Sequence, residues 1–215
     1  MCSRIKRGIF LTLEGIDGSG KSSALKALYT ELSLQYNVIA TREPGATPIG
    51  KHIRDVVQSS SEPLCPRAEF LLFAADRAQH FHEIVLPYLA DSYIVISDRM
   101  ADSSLAYQGY GRGLDKEFIK TVNEWVTRGV KPDCTFYLRT DQTVARERVN
   151  RRLEIKTTIE KEHNDFFQRV TDGFEAIFNG RSDVIVIDAS QNQKKVHEDI
   201  IQAVYTFLSF TKDAV

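Results

Sequence analysis

The segment IFLTLEGIDGSGKSS, residues 9–23, constrains this chain more tightly than any other stretch. An apolar run breaks into three glycines and ends on a lysine and two serines. Residues Gly15 to Ser22 match G-x-x-x-x-G-K-[ST] in full, with a strand-like run before and a helical pattern after. Glycines let the backbone wrap so that successive N–H groups converge on one anion. The helix that follows adds unpaired N–H groups and about half a positive charge at its N-terminus. Gly15, Ile16, Asp17, Gly18, Ser19, Gly20, Lys21, Ser22 and Ser23 are therefore expected to cradle the phosphates of a nucleoside triphosphate. In such a loop Lys21 bridges the β- and γ-phosphates and the Ser22 hydroxyl ligates Mg²⁺.

Five short apolar runs read as strands: residues 9–14, 37–41, 93–97, 134–139 and 184–189. They are rich in Val, Ile, Tyr, Phe and Thr, and most lack polar alternation, as parallel strands covered on both faces do. Helical spacing lies between them. Leu25, Leu28 and Leu32 share a face within 22–34, and Ile200, Val204 and Leu208 do so near the end. Strand and helix alternate throughout, which predicts an α/β fold of three layers on a parallel sheet. The whole span 1–215 reads as one domain, since no repeat, low-complexity tract or linker divides it. Ligands of such folds sit at the carboxyl ends of the strands.

Composition narrows the partners. A net charge of −1 offers no global field for nucleic acid or an anionic membrane, and neither is expected as a partner. The apolar run Ile9 to Leu13, with Thr12 inside it, is too short for a signal core or a membrane span, which predicts a cytoplasmic protein. Cys2, Cys65 and Cys134 show neither disulfide nor zinc spacing and are expected to be reduced. His80 and His82, two apart on a helical stretch, point different ways and cannot chelate one metal together. Trp125 belongs to the core or to an interface.

The other strand ends carry TREPGATPIGKHIR (41–54), FLLFAADRAQH (70–80) and SDRMADSSLAYQGYGRG (97–113). Phe73 and Arg77, four apart on a helix, share a face, so a ring can stack on a base while guanidinium donors reach a pyrimidine carbonyl. Asp98-Arg99 sits at a strand end, where a fixed cation can hold a phosphate. No N-K-x-D guanine-reading element occurs. With EGIDGSGKS, these four motifs in order and spacing resemble the thymidylate kinases of bacterial type, over roughly residues 8–210.

The resemblance implies a P-loop nucleoside-monophosphate kinase fold, with a five-stranded parallel sheet flanked by helices and a small helical lid near 145–165. It implies transfer of the ATP γ-phosphoryl group to dTMP, giving dTDP, and a homodimer built through packed helices. It also implies that Phe73 and Arg77 hold the thymine and that Arg99 and Arg54 hold the acceptor phosphate. Asp17 would touch the acceptor sugar and the metal region, and Glu43-Pro44 would form the acceptor-side wall. Ser104 and Gln108 would contact the base, with Tyr107 crowding the place of a ribose 2′-OH. Ser103 either joins this set or caps a helix. Asp98 either works through Mg²⁺-bound water or orients Arg99. The expected catalytic set is Lys21, Arg99, Asp98, Asp17 and Arg151.

Arg151 enters through the run ARERVNRRLEIK, which also holds Arg146, Arg148 and Arg152. Such a run is a solvated helix face, an RNA patch or a lid, and the net charge counts against RNA. Some thymidylate kinases carry an arginine in the loop after the aspartate, but here that position is Gly18. Charge on the transferred phosphoryl group must then be met from the lid, by Arg151 first, or by Arg148 or Arg152. Other departures from the family pattern are Thr157-Thr158 in place of a late-lid Asp-Arg pair, Met100 for an aromatic, and Ala46 for a glycine. A kinase for another nucleotide and a regulatory ATPase indifferent to monophosphates are the competing readings.

Overall fold

The computed structural model describes residues 6–59, 63–152 and 157–210. Its strands are β1 (Ile9–Glu14), β2 (Val38–Arg42), β3 (Ile94–Asp98), β4 (Cys134–Arg139) and β5 (Val184–Asp188). They form one parallel sheet in the order β2-β3-β1-β4-β5. β2 and β3 end one residue later than their apolar runs, because Arg42 and Asp98 still pair across the ladder. Their side chains are polar because they stand at the strand tips, where the site lies.

The helices in chain order are α1 (Lys21–Leu32), α2 (Pro48–Ser59), α3 (Pro66–His80), α4 (Leu86–Ala90) and α5 (Ala101–Ser104). They continue with α6 (Lys116–Val126), α7 (Gln142–Arg151), α8 (Asn164–Phe178) and α9 (Gln193–Phe210). A π-helical turn, Phe81–Val85, joins α3 to α4, and another, Leu105–Gly111, extends α5. Such turns recur at functional sites, and the second one carries Tyr107 and Gln108.

Every residue of β1 is buried, which explains its lack of polar alternation. Ile9, Leu11 and Leu13 pack toward α1 and α9, whereas Phe10 meets Phe81 and Val85 on the opposite face. On α9, Val196, Ile200, Val204 and Leu208 recur every fourth residue and bury completely. On α1 the buried stripe is Lys21, Ala24, Leu28 and Leu32, with Leu25 at its edge. Lys21 thus heads an apolar stripe, and its side chain turns beneath the preceding loop instead of into solvent. Across the sheet, α8 lies on Leu105–Gly111 so closely that a Cβ on Gly173 would stand 2.8 Å from the Tyr110 side chain.

Cys134 lies in the core, where burial and then the Asp183 charge push its thiol up to about 12. Cys65 is exposed and also unbridged, and Cys2 falls outside the described residues. Trp125, expected in core or interface, is 79% exposed and so leaves the core. His80 is buried and His82 exposed, so they do point apart. Among the described residues no helix is long and apolar enough to cross a membrane.

Candidate active site

The loop between β1 and α1 turns through left-handed glycines, Gly18 at φ 83° and Gly20 at φ 93°. The Lys21 ammonium donates to the carbonyls of Gly15 (3.0 Å) and Ile16 (2.8 Å). Burial, and then the nearby Arg99 charge, bring its pKa down to about 8. Beside it the Ser22 hydroxyl donates to Asp98 Oδ2 at 2.7 Å.

Arg99 follows β3 with φ +75°, a strained conformation for a residue with a Cβ. Two bonds hold that backbone: its N–H donates to Leu13 O (3.0 Å), and Ser97 Oγ donates to its carbonyl (2.7 Å). The guanidinium then reaches across the loop, Nη1 to Gly15 O and Ser103 Oγ (both 3.0 Å), Nη2 to Asp17 Oδ1 (2.6 Å). It also lies 5.1 Å from the Tyr107 ring centroid. Burial works against ionisation of Asp17, but the Arg99 and Lys21 charges outweigh it and hold the carboxyl below its usual range.

Glu14, unremarked in the sequence, ends β1 directly under this group. It accepts from the Met100 N–H (2.8 Å) and from the Ser103 hydroxyl, tying β1 to the start of α5. Burial first, and then the Asp102 charge, raise its pKa to about 7.

A second cluster lies where β2 and α3 meet. Arg77 is 2% exposed and donates Nε to Glu43 (2.8 Å), Nη1 to Ser104 Oγ (3.1 Å) and Asn123 Oδ1 (2.5 Å), and Nη2 to Met100 O (3.1 Å). Four of its five N–H groups are thereby committed, which leaves one on Nη2. His80 bridges Glu43 (2.9 Å) and Thr41 (2.7 Å), so this buried histidine serves the acceptor wall. Arg54 Nη1 donates to Pro44 O at 2.9 Å and holds the loop after β2.

Both clusters open into one cavity of about 980 Å³, large enough for two nucleotides end to end. Asp17, Gly18, Ser19, Gly20, Lys21, Ser22 and Ser23 line it, with Asp98 and Arg99. Glu43, Pro44, Arg54, Phe73, Arg77, Ser103, Ser104, Tyr107 and Gln108 line it as well. Gly15 and Ile16 lie beneath the loop and contribute their carbonyls to Lys21 instead. The wall carries eight Lys or Arg against four Asp or Glu in a chain of net charge −1, so the cavity is a local anion trap.

Arg151 is not brought into this wall. Its side chain is 80% exposed and pairs with Glu147 one turn back on α7. Arg148 and Arg152 line the cavity instead. The reason is local: α7 ends at Arg151, and Arg152 takes an extended backbone (φ −70°, ψ 143°), so helical phase no longer sets its direction. Arg152 pairs with Glu160, and Arg148 donates to the carbonyls of Ala189 (2.7 Å) and Gln191 (2.8 Å). Gly18 has no room for a loop arginine, since a Cβ there would stand 2.2 Å from Ala145 O. Sequence reading also missed His197 and Gln193 of α9, which bond to Ser23 Oγ and line the cavity. Their partner lies about 170 positions away, and no local pattern marks them.

The Ser22 hydroxyl and the Asp98 carboxylate are hard oxygen donors side by side at the loop, a set that suits Mg²⁺. Among the described residues no cluster of three or more His, Cys, Asp or Glu could hold a metal by itself. An ion here would depend on phosphate oxygens for much of its shell.

The thymidylate kinase family model matches residues 13–200. The chain belongs to the thymidylate kinase family. A thymidylate kinase from Halothermothrix orenii is 44% identical over 201 residues, covering 92% of this chain and 97% of that one. Another, from Finegoldia magna, is 40% identical over 196 residues, covering 90% and 96%. The crystal structure of thymidylate kinase from Ehrlichia chaffeensis superposes with a TM-score of 0.77 at 34% identity, covering 92% of this chain and 99% of that one. The five-stranded parallel sheet flanked by helices is the P-loop nucleoside-monophosphate kinase fold of this family.

Glu14 supplies a pH test. Its carboxyl keeps a proton to about pH 7 when folded, against about 4.5 otherwise. The folded chain therefore binds more protons between those values, and stability falls as pH rises through that window, levelling above it. Glu14→Gln keeps the acceptor for Met100 and removes the titration. Denaturant midpoints across pH 5–8 should show the variant gaining about 2–3 kcal/mol relative to wild type. Parallel profiles for the two proteins would reject the assignment.

Proposed function

We propose that this chain transfers the γ-phosphoryl group of ATP to dTMP, giving dTDP, by in-line displacement at the tips of β1 and β3. One observation carries the reading: a single cavity joins the glycine loop to the Phe73–Arg77 pocket, with Arg99 bonded to the loop between them. In this reading ATP phosphates lie on residues 15–23. Lys21 exchanges its bonds to Gly15 and Ile16 for phosphate oxygens, a move of one flexible side chain. Ser22 and Asp98 would hold Mg²⁺, which supplies charge neutralisation on the phosphate oxygens when bound.

Phe73 offers a face to the thymine, and the remaining Nη2 N–H of Arg77 meets a base carbonyl oxygen. That single donor favours thymine, which has an acceptor at position 4, over cytosine, which has an amine there. Ser104 and Gln108 complete the base pocket, and Tyr107 with Asp17 bounds the sugar. Arg99 and Arg54 hold the acceptor phosphate, so catalysis rests on positioning and preset charge. We assign the role of lid cation, expected at Arg151, to Arg152, with Arg148 anchoring the lid helix. The span 1–215 then acts as one domain whose lid lies near 145–165. ATP and a free mononucleotide as substrates suit a cytoplasmic enzyme.

We also infer a homodimer. Five of the nine exposed large apolar side chains among the described residues sit on α2, α3 and α6: Ile49, Val56, Leu71, Phe118 and Trp125. These helices pack side by side, and Phe70 and Phe118 meet at 6.4 Å. Ile49 and Val56, like Phe118 and Trp125, are seven apart, so each pair forms a stripe along its helix. A second copy of the same face would cover it symmetrically.

Three measurements test the reading. With dTMP, dUMP, dCMP and thymidine as acceptors, dTMP should turn over best, with dUMP behind by ~10–100-fold. Fastest turnover of another acceptor, or ATP hydrolysis indifferent to all four, would overturn it. Arg77→Lys keeps a charge for Glu43 and loses the fork, so calorimetric dTMP affinity should drop about 10–100-fold. Arg152→Ala should lower kcat by ~10²-fold or more, and Arg151→Ala by less than about threefold. For the dimer, Trp125→Glu should halve the mass seen in sedimentation; an unchanged mass, or a monomeric wild type, removes that face.

A further inference from the structure

α6 buries Ile119, Asn123 and Val126 against the rest of the domain. Two of the three are apolar, and packing alone would be served by a leucine at the third. A buried amide costs stability unless its groups are bonded, so Asn123, 5% exposed, needs a reason to be there. Its Oδ1 accepts from Arg77 Nη1 at 2.5 Å, and its Nδ2 faces Ala101 O at 3.4 Å. The orientation is forced, because a guanidinium only donates and the amide oxygen must face it.

Arg77 has its other acceptors on different elements: Glu43 after β2, Met100 O after β3, and Ser104 on α5. Glu43 takes Nε and Met100 takes Nη2. Nη1 is shared by Ser104 and Asn123, and Asn123 is the only member of the set from α6. Removing it frees one N–H of Nη1 on a side chain that is only 2% exposed. The fork then has reason to rotate and carry its one uncommitted N–H away from the base.

We propose that Asn123 is a positioning residue for base recognition, acting through Arg77 and touching no substrate. The inference rests on the reading that Arg77 meets the base. It identifies a determinant of thymine selectivity on α6, outside all four sequence motifs and 46 positions from the residue it orients.

The test uses Asn123→Leu, which fills the same space without an acceptor, and Asn123→Asp, which restores the acceptor. Asn123→Leu should raise Kd and KM for dTMP about tenfold and narrow the dTMP-to-dCMP preference by a similar factor, while KM for ATP stays within about twofold. Asn123→Asp should return dTMP affinity to within about threefold of wild type. Melting temperatures of both, measured without ligand, separate folding from recognition. Wild-type dTMP affinity in Asn123→Leu would overturn the proposal, as would an equal rise in KM for ATP, or failure of Asn123→Asp to restore binding in a folded protein. If Arg77→Lys also binds dTMP normally, the base-site reading falls too; if Arg77→Lys is impaired and Asn123→Leu is not, only the role of Asn123 falls.

Discussion

The carbonyl oxygen of Gly15 accepts from two cations, Lys21 and Arg99, each at 3.0 Å. Much of the site depends on that shared acceptor. Like charges forced together in a partly dry space repel, and desolvation opposes each of them. Fixed partners must hold them apart from one another on either side of the loop. Backbone carbonyls of the loop hold Lys21, while Asp17, Ser103 and Gly15 hold Arg99. A polyanion entering this cavity meets Arg99 already fixed by its partners, while Lys21 has to leave the loop carbonyls to reach it.

Four acids around the cavity show how partners, more than burial, decide protonation. All four are wholly or largely buried, and burial is the first influence on each, raising the pKa. Asp17 faces Arg99, and Glu43 faces Arg77, and both fall below the usual range in spite of burial. Glu14 has hydroxyl and amide donors with Asp102 nearby, and rises to about 7. Asp76 accepts from Gly45 N–H, has Glu43 as its charged neighbour, and rises to about 6. The two acids held below the usual range fix guanidiniums; the two raised above it fix backbone at the starts of α5 and of the loop after β2. Stability and substrate binding thus carry different pH signatures within one site.

The strands and the glycine loop were legible because each is a local pattern: an unbroken β-branched run, or four residues of fixed type at fixed spacing. Helical spacing put Phe73 and Arg77 on one face but only the family resemblance made them a base site, and the pairing of Asp98 with Ser22 was not legible. Glu14, His80 and Asn123 were invisible as site members because each acts on a residue tens of positions distant. Arg151 was expected ahead of Arg148 and Arg152 as the lid cation, and nothing local in the sequence marks where α7 stops. The helix ends between Arg151 and Arg152, and a single extended residue redirects the second of these toward the cavity.

The same break separates two segments that are held to the domain in different ways. α7 is pinned along its length: Asp141 caps its first turn, Ala145 lies against Gly18, and Arg148 grips the carbonyls of Ala189 and Gln191. On the far side Thr158 donates both its N–H (3.1 Å) and its hydroxyl (3.2 Å) to Gln58 O at the end of α2. Thr157 and Glu160 bond to each other in a tight reciprocal pair that also takes in Arg152. Thr157-Thr158, where the resemblance implies an Asp-Arg pair, thus ties this segment to the end of α2 through neutral groups. Arg152 and Lys161 both line the cavity beside this threonine pair, so cationic side chains stand on either side of it.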